Sequence, residues 1–376
     1  MKNKKLGIYI HIPFCKQKCY YCDFTSFAKK EEVQEDYIKA LIQEIKFFLK
    51  TNPDVKISSI YIGGGTPSYI DSKYIKQILE LFNKPNVETT IEVNPGTVTL
   101  DKLKDYKDAG INRLSIGLQS TEDRLLKLIG RIHNFEDFLN TYKTAKEVGF
   151  TNINADLMIG LPSQTIANIK DSLEKLVELG LQHISVYSLI VEEGTVISKK
   201  IETKEIELPS EELERNMYWY VKNYLELNGY KHYEISNFAK PGFESCHNLD
   251  CWEQEEYIGF GLAAHSYIDG TRFSNTENLE EYILNCKEDE FYKNKIIHET
   301  QNKLETEKEF MILGLRKIDG VSIQKFKNKF EENPLYLFRT ELKKLVEEKL
   351  ININLDEIKL TNKGIDFANL VWQEFC

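Results

Sequence analysis

The segment Cys15-Lys16-Gln17-Lys18-Cys19-Tyr20-Tyr21-Cys22 sets three cysteines in a C-x3-C-x2-C spacing, directly after the apolar run Gly7-Ile8-Tyr9-Ile10-His11-Ile12. Thiolates this close in sequence can converge on one metal centre, and they leave the fourth iron of a cubane cluster without a protein ligand. An open iron points to chemistry rather than to electron storage alone. Zinc competes, but its structural sites fill all four positions, commonly from two C-x2-C-like halves. No second knuckle lies nearby. Three unrelated buried thiols would not be separated by Lys16, Gln17 and Lys18, which mark an exposed loop.

The elements that must position this loop are legible in the periodicity. Val33, Tyr37, Leu41, Ile45 and Phe48 fall at helical spacing between residues 31 and 50. Strand-like runs follow at 57–62, 89–93, 113–117, 153–157 and 183–189, with helical patterns near 70–82, 99–109, 121–129, 135–147 and 166–179. Counting the run before the cysteines, six strands each precede a helix, which argues for a parallel α/β architecture. Cys15 to Cys22, Gly63 to Thr66, Glu92 with Asn94, and Gln119 all fall at the carboxyl ends of successive strands. A barrel gathers its site there, whereas an open sheet concentrates ligands at one switch point. The expected fold is α/β, a partial (βα)6 TIM-like barrel over residues 1–200.

Beyond residue 200 the pattern loosens into a barrel extension over 201–300. Ser210 is a candidate N-cap for a helix running to Leu227, stopped by Asn228-Gly229. Residues 231–236 read as a strand, and the Gly- and aromatic-rich segment Phe238 to Ser274 is expected to lie over one end of the barrel. Residues 303–376 read as helices followed by a hairpin, 349–353 and 357–360, around an Asn354-Leu355-Asp356 turn, a winged-helix-like α+β module. This module has 13 basic and 13 acidic side chains, so it lacks the basic excess that DNA requires and reads as a packing or docking module.

Composition narrows the function classes. With 41% hydrophobic residues a packed core is feasible, and 59 acidic against 49 basic side chains give a net charge of −10, which argues against nucleic-acid binding. Seven cysteines, three of them in one loop, fit a reducing compartment better than a disulfide framework. The opening Met1-Lys2-Asn3-Lys4-Lys5 mimics an export signal, but His11, Pro13, Cys15 and Lys16 cut its apolar run short. Neither export nor a transmembrane segment is expected, and the reading is cytoplasmic.

The three-cysteine spacing resembles the signature of the radical S-adenosylmethionine (SAM) proteins. The longer string Tyr9-Ile10-His11-Ile12-Pro13-Phe14-Cys15 is similar to the branch holding the oxygen-independent coproporphyrinogen dehydrogenases and the HemW-type haem chaperones. The resemblance implies a 4Fe-4S cluster on Cys15, Cys19 and Cys22, with SAM completing the open iron. It also implies SAM contacts from Tyr9, from Gly64, Gly65 and Thr66, and from Glu92 in Glu-Val-x-Pro. Gln119, Arg131 and Asp156 match residues that hold a second SAM in the dehydrogenases. Read alone, the triple glycine is a loop, Glu92 a salt-bridged core acid, Gln119 a helix cap, Arg131 a solvated ion pair and Asp156 a structural acid.

Two departures from the dehydrogenase pattern stand out. Asp23-Phe24 occupies the place of that branch's fourth cysteine, and only six residues precede Gly7. Both match the chaperones. Cys246-His247-Asn248-Leu249-Asp250-Cys251-Trp252 is similar to the chaperones' His-Asn-x-x-Tyr-Trp haem motif, with Cys251 replacing the tyrosine. Imidazole and thiolate both ligate haem iron, so His247 is the expected ligand and Cys251 an assistant. The alternative is a histidine packed beside Trp252. His265 is a secondary candidate, read as structural. The resemblance thus implies a haem chaperone that hands haem to an unidentified acceptor protein, with a membrane-associated complex among the candidates. The competing implication is a dehydrogenase that decarboxylates porphyrinogen propionates through a SAM-derived radical.

Overall fold

In the computed structural model, which describes residues 5–83 and 86–376, the expected six strands form in order: β1 (Lys5–Ile12), β2 (Lys56–Gly64), β3 (Glu88–Val93), β4 (Arg113–Gln119), β5 (Asn152–Ile159) and β6 (His183–Ser188). Residues 1–4, most of the basic opening, lie outside the described residues. Each strand pairs in parallel with the next, β1 through β6 without reversal. Crossovers of one hand along an unreversed order put the connecting helices on one face and curl the sheet around the other. The topology is therefore that of a partial barrel, not a doubly wound sheet.

The period of two sorts the side chains between these faces. Ile8, Ile10, Ile60, Ile62, Ile91, Leu114, Ile116 and Ile153 face the helices and are buried. The alternate positions, Tyr9, Ser59, Tyr61, Glu92, Arg113, Ser115, Asn154, Asp156 and His183, turn inward. Barrels usually fill this space with branched apolar residues; here it is polar. Such an interior needs internal hydrogen bonds, and Asn154 supplies several: its amide donates to Ser115 Oγ (2.8 Å) and Asp156 Oδ1 (2.7 Å), and its oxygen lies 2.7 Å from His183 Nδ1.

The helix Glu211–Leu227 starts on Ser210, whose side chain accepts from the Leu213 N–H, and ends at Asn228 with Gly229 at φ +80°. The strand expected at 231–236 forms, but the segment after it departs from expectation. Strands Lys231–Glu234 and Asn237–Ala239 extend the sheet beyond β6, and Tyr257–Phe260, His265–Ile268, Thr271–Asn275 and Lys295–Thr300 extend it beyond β1, giving one twelve-stranded sheet. Only the helix Cys246–Trp252 covers a barrel end. Backbone pairing along a free sheet edge claimed these runs, a contact that side-chain pattern does not encode. The C-terminal module packs a separate core around Phe310, Phe326, Phe330 and Phe338 against the three-stranded sheet of Val321–Ser322, Glu357–Leu360 and Ile351–Ile353. Arg316 joins it to the barrel, its guanidinium stacked on Trp252 (4.6 Å) and on Trp372 (4.7 Å).

A half-buried acid ties the sheet extension to the helix Gln34–Thr51. Glu44 accepts from the Gly261 N–H (2.9 Å), the Asn275 amide (2.7 Å) and the Tyr282 hydroxyl (2.7 Å). Burial pushes its carboxyl up to about 7 against the pull of these donors. Glu44→Ala strands three donors and is expected to cost about 3 kcal/mol, seen as a lower urea midpoint with an unchanged slope.

Candidate functional site

The cysteine loop is pinned from two sides. On one, the Gly65 N–H donates to the Ile12 carbonyl and the Thr66 N–H to the Phe14 carbonyl, both at 2.9 Å, so the turn after β2 lies against the turn after β1. A side chain at Gly65 would stand 3.0 Å from Cys15 Sγ, and Gly64 adopts φ +111° with its missing Cβ against the His11 ring. Only glycine meets both demands. On the other side the Tyr20 N–H donates to the Ile129 carbonyl (3.0 Å) and the Gln17 amide to the Gly130 carbonyl (3.2 Å).

Within this frame side chains close a circuit around two of the thiols. Thr66 Oγ1 donates to Cys15 Sγ (3.4 Å) and accepts from the Asn94 amide (2.8 Å). The Asn94 oxygen accepts from Arg131 (2.7 Å), which also donates to the Gly117 carbonyl (2.6 Å) and to Cys19 Sγ (3.4 Å). The Thr66 hydrogen bond favours the Cys15 thiolate, the form that binds metal. Burial, the larger influence, holds the Cys15 and Cys22 thiols above their ordinary value.

The circuit borders a cavity of about 510 Å³ at the carboxyl ends of the strands, within the range of small-molecule sites. Cys15, Cys19 and Cys22 line it, as do Gly64, Gly65, Thr66, Glu92, Gln119, Arg131 and Asp156. Gln119 has a left-handed backbone (φ +71°) where the register between β4 and β5 slips, which ends β4 at the cavity. Glu92 accepts from the Tyr61 hydroxyl (2.9 Å), and burial together with Asp156 pushes its carboxyl up to about 7. Burial likewise raises the Asp156 carboxyl.

Three expected residues lie elsewhere. Tyr9 stands behind the cavity wall, its hydroxyl 3.0 Å from His11 Nδ1 and its ring stacked on Tyr61. His247 stacks on Tyr61 as well (5.1 Å), with Nδ1 2.9 Å from Ser59 Oγ. Ser59 lies five residues before Gly64 on β2, so this contact is about 17 Å down the strand from the glycine turn. Burial lowers the His247 imidazole to about 4, leaving it neutral with Nδ1 engaged, and raises the Cys251 thiol to about 12. Its helix, Cys246–Trp252, plugs the closed end of the barrel, where the Glu88 carboxylate accepts from the Cys246 N–H (2.9 Å). The imidazole suits a metal electronically, but a haem-sized ligand could reach it only if this helix withdrew.

The sequence pattern placed Asn94 at a strand end without giving it a task. It is the centre of the circuit. Tyr61 was missed altogether, although the alternation along β2 puts it on the same face as Gly63. The donor set suits an iron–sulfur cluster, because Cys15, Cys19 and Cys22 line one cavity and a cubane spreads its thiolates over different irons.

Comparison with known proteins places this architecture. Residues 9–176 match the radical SAM superfamily and residues 303–367 the HemN C-terminal domain. The solved structure of coproporphyrinogen III oxidase HemN from Escherichia coli, a radical SAM enzyme, has the same fold, with a TM-score of 0.86 at 24% identity over all of this chain and 90% of that one. The fold is thus that of a radical SAM protein. At the level of sequence, the heme chaperone HemW of Bacillus subtilis is 42% identical over 98% of both chains, and that of Lactococcus lactis 37% identical over all of this chain and 98% of its own. The chain belongs to the HemW family.

Gly65→Ala is expected to displace the cysteine loop and leave the fold standing. Iron and acid-labile sulfide after anaerobic reconstitution should fall well below wild type while the far-ultraviolet circular dichroism is unchanged.

Proposed function

We propose that the protein is a haem chaperone, which binds haem and a SAM-coordinated 4Fe-4S cluster and passes haem to an acceptor protein. The observation that carries this reading is the likeness to heme chaperones HemW over essentially the full length of both chains. In this reading Cys15, Cys19 and Cys22 hold the cluster, and its open iron would take the amino and carboxyl groups of SAM when both are bound. Gly64 and Gly65 offer unobstructed main chain to the methionine end, and Thr66 a hydroxyl. Glu92 and Asp156 answer the positive charges of SAM, and Gln119 and Arg131 complete the polar wall. Tyr9 acts through Tyr61, which orients Glu92. His247, helped by Cys251, is the iron ligand that the motif offers, on condition that the plug helix withdraws.

The working compartment is the reducing cytoplasm, and the acceptor is a separate protein that could belong to a membrane complex. No described helix is long and apolar enough to cross a membrane.

Anaerobically reconstituted protein is expected to bind haem and to leave coproporphyrinogen III intact in the presence of SAM and reductant. Decarboxylation without haem binding would replace this reading with the dehydrogenase. Glu92 adds a pH test. A carboxyl raised on folding weakens the fold as pH climbs from its unfolded value of 4.5 to about 7, and a cation beside it favours ionisation. SAM affinity should therefore drop as pH falls below about 7, and Glu92→Gln should bind SAM more weakly with a shallower profile, both measurable by equilibrium dialysis.

A further inference from the structure

Arg113 opens β4 with its side chain inside the barrel and is 2% exposed. Among the described residues its guanidinium nevertheless has neither an ion-pair nor a hydrogen-bond partner, and its Nε is sealed from solvent. Its neighbours share this condition. Strand register sets Tyr61, Thr90, Arg113 and Asn152 side by side on β2 to β5, and Thr90 Oγ1 and Asn152 Oδ1 are likewise enclosed without a partner. Buried polar groups are ordinarily paired, and a lone buried cation is among the costliest of them. Three at one level mark a place built for a ligand. The acids around it are engaged elsewhere. Burial raises the Asp156 carboxyl, with Asn154, Ser185 and the charge of Arg113 pulling against it, and its Oδ1 accepts from Asn154 (2.7 Å). Glu88 accepts from the N–H groups of Cys246 (2.9 Å) and His247 (3.4 Å), which begin the plug helix. Arg113 stands close to that helix. Burial, and then the charge of Arg113, lowers the His247 imidazole, and that ring stacks (5.1 Å) on Tyr61, which shares the level of Arg113.

We propose that Arg113, flanked by Thr90 and Asn152, is a carboxylate site at the closed end of the barrel, and that it takes a propionate of the haem whose iron His247 holds. The inference rests on the haem-chaperone reading and shares its condition that the plug helix withdraws. It adds an anchor to the iron ligand. A guanidinium presents parallel N–H donors that match the two oxygens of a carboxylate, while Thr90 adds a hydroxyl and Asn152 an amide. Haem carries both of the groups that this end can receive, a metal for the imidazole and carboxylates at its edge. SAM carries a carboxylate as well, but in the same reading that group goes to the open iron at the other end of the barrel.

Titration of the cluster-loaded full chain with haem and with its dimethyl ester, followed in the Soret band, tests this site, with SAM binding and the urea midpoint measured on every variant. Wild type is expected to prefer haem to the ester about tenfold, the order of one hydrogen-bonded charge. Arg113→Gln should weaken haem by about the same factor, leave the ester and SAM at their wild-type affinities, and keep the Soret position, because the iron ligand is untouched. Arg113→Lys retains the charge and should bind haem more tightly than Arg113→Gln. Since the cation has no partner in the fold, the urea midpoint of Arg113→Gln should be no lower than that of wild type. A lower midpoint, with haem and ester weakened alike, would show that the charge serves the fold and would overturn the proposal. Unchanged haem affinity in Arg113→Gln, or a loss of SAM in place of haem, would overturn it too. A wild-type protein that binds haem and ester equally would remove the carboxylate site alone, whereas one that binds neither would overturn the chaperone reading itself.

Discussion

Asn94 joins what would otherwise be separate pieces of chain. Its amide reaches Thr66 and through it Cys15; its oxygen receives Arg131, which reaches Cys19. Segments that follow β1 to β4 are therefore held in one hydrogen-bonded circuit around two of the thiols. A three-residue ligand set on a surface loop loses conformational freedom when it gathers a metal, and a preformed circuit lowers that cost. The glycines at 64 and 65 serve the same end, because any side chain there would push the circuit away from the cysteines.

The interior below this circuit is polar for a barrel, and its charges are arranged by depth. Glu92 and Asp156 sit at the floor of the cavity, both raised by burial. Lower down, His247 and His183 are held neutral by burial. Tyr61 stands between the two levels, donating to Glu92 and stacking on His247. The closed end is in turn fastened to the C-terminal module through the Trp252–Arg316–Trp372 stack. This chain of contacts connects the cavity floor to the module farthest from it in sequence.

Much of the barrel was readable from residue order because its determinants are local. The period-two runs, the helical periods and the caps at Ser210 and Asn228 each depend on a few neighbouring residues. The cysteine loop, the glycine turn, Glu92 and Gln119 stood out because each ends or follows a strand, and strand ends gather in a barrel; Arg131 and Asp156 came from the family resemblance alone. What the order of residues hid was long-range pairing. The short strands at 257–260 and 265–268 joined the edge beside β1 through backbone hydrogen bonds that carry little side-chain signature. The spacing around His247 and Cys251 resembled a ligand set, but it could not reveal that their helix faces inward. Asn94 was hidden for a similar reason, since its partners lie 28 and 37 residues away.

The most direct test of a three-thiolate cluster with one open iron is the Mössbauer spectrum of the anaerobically reconstituted, iron-57-labelled protein with and without SAM. The account predicts a 4Fe-4S cluster in which one iron of four is distinct and changes its parameters when SAM is added. Four equivalent irons indifferent to SAM, or a loop that retains zinc and takes up no cluster, would contradict it.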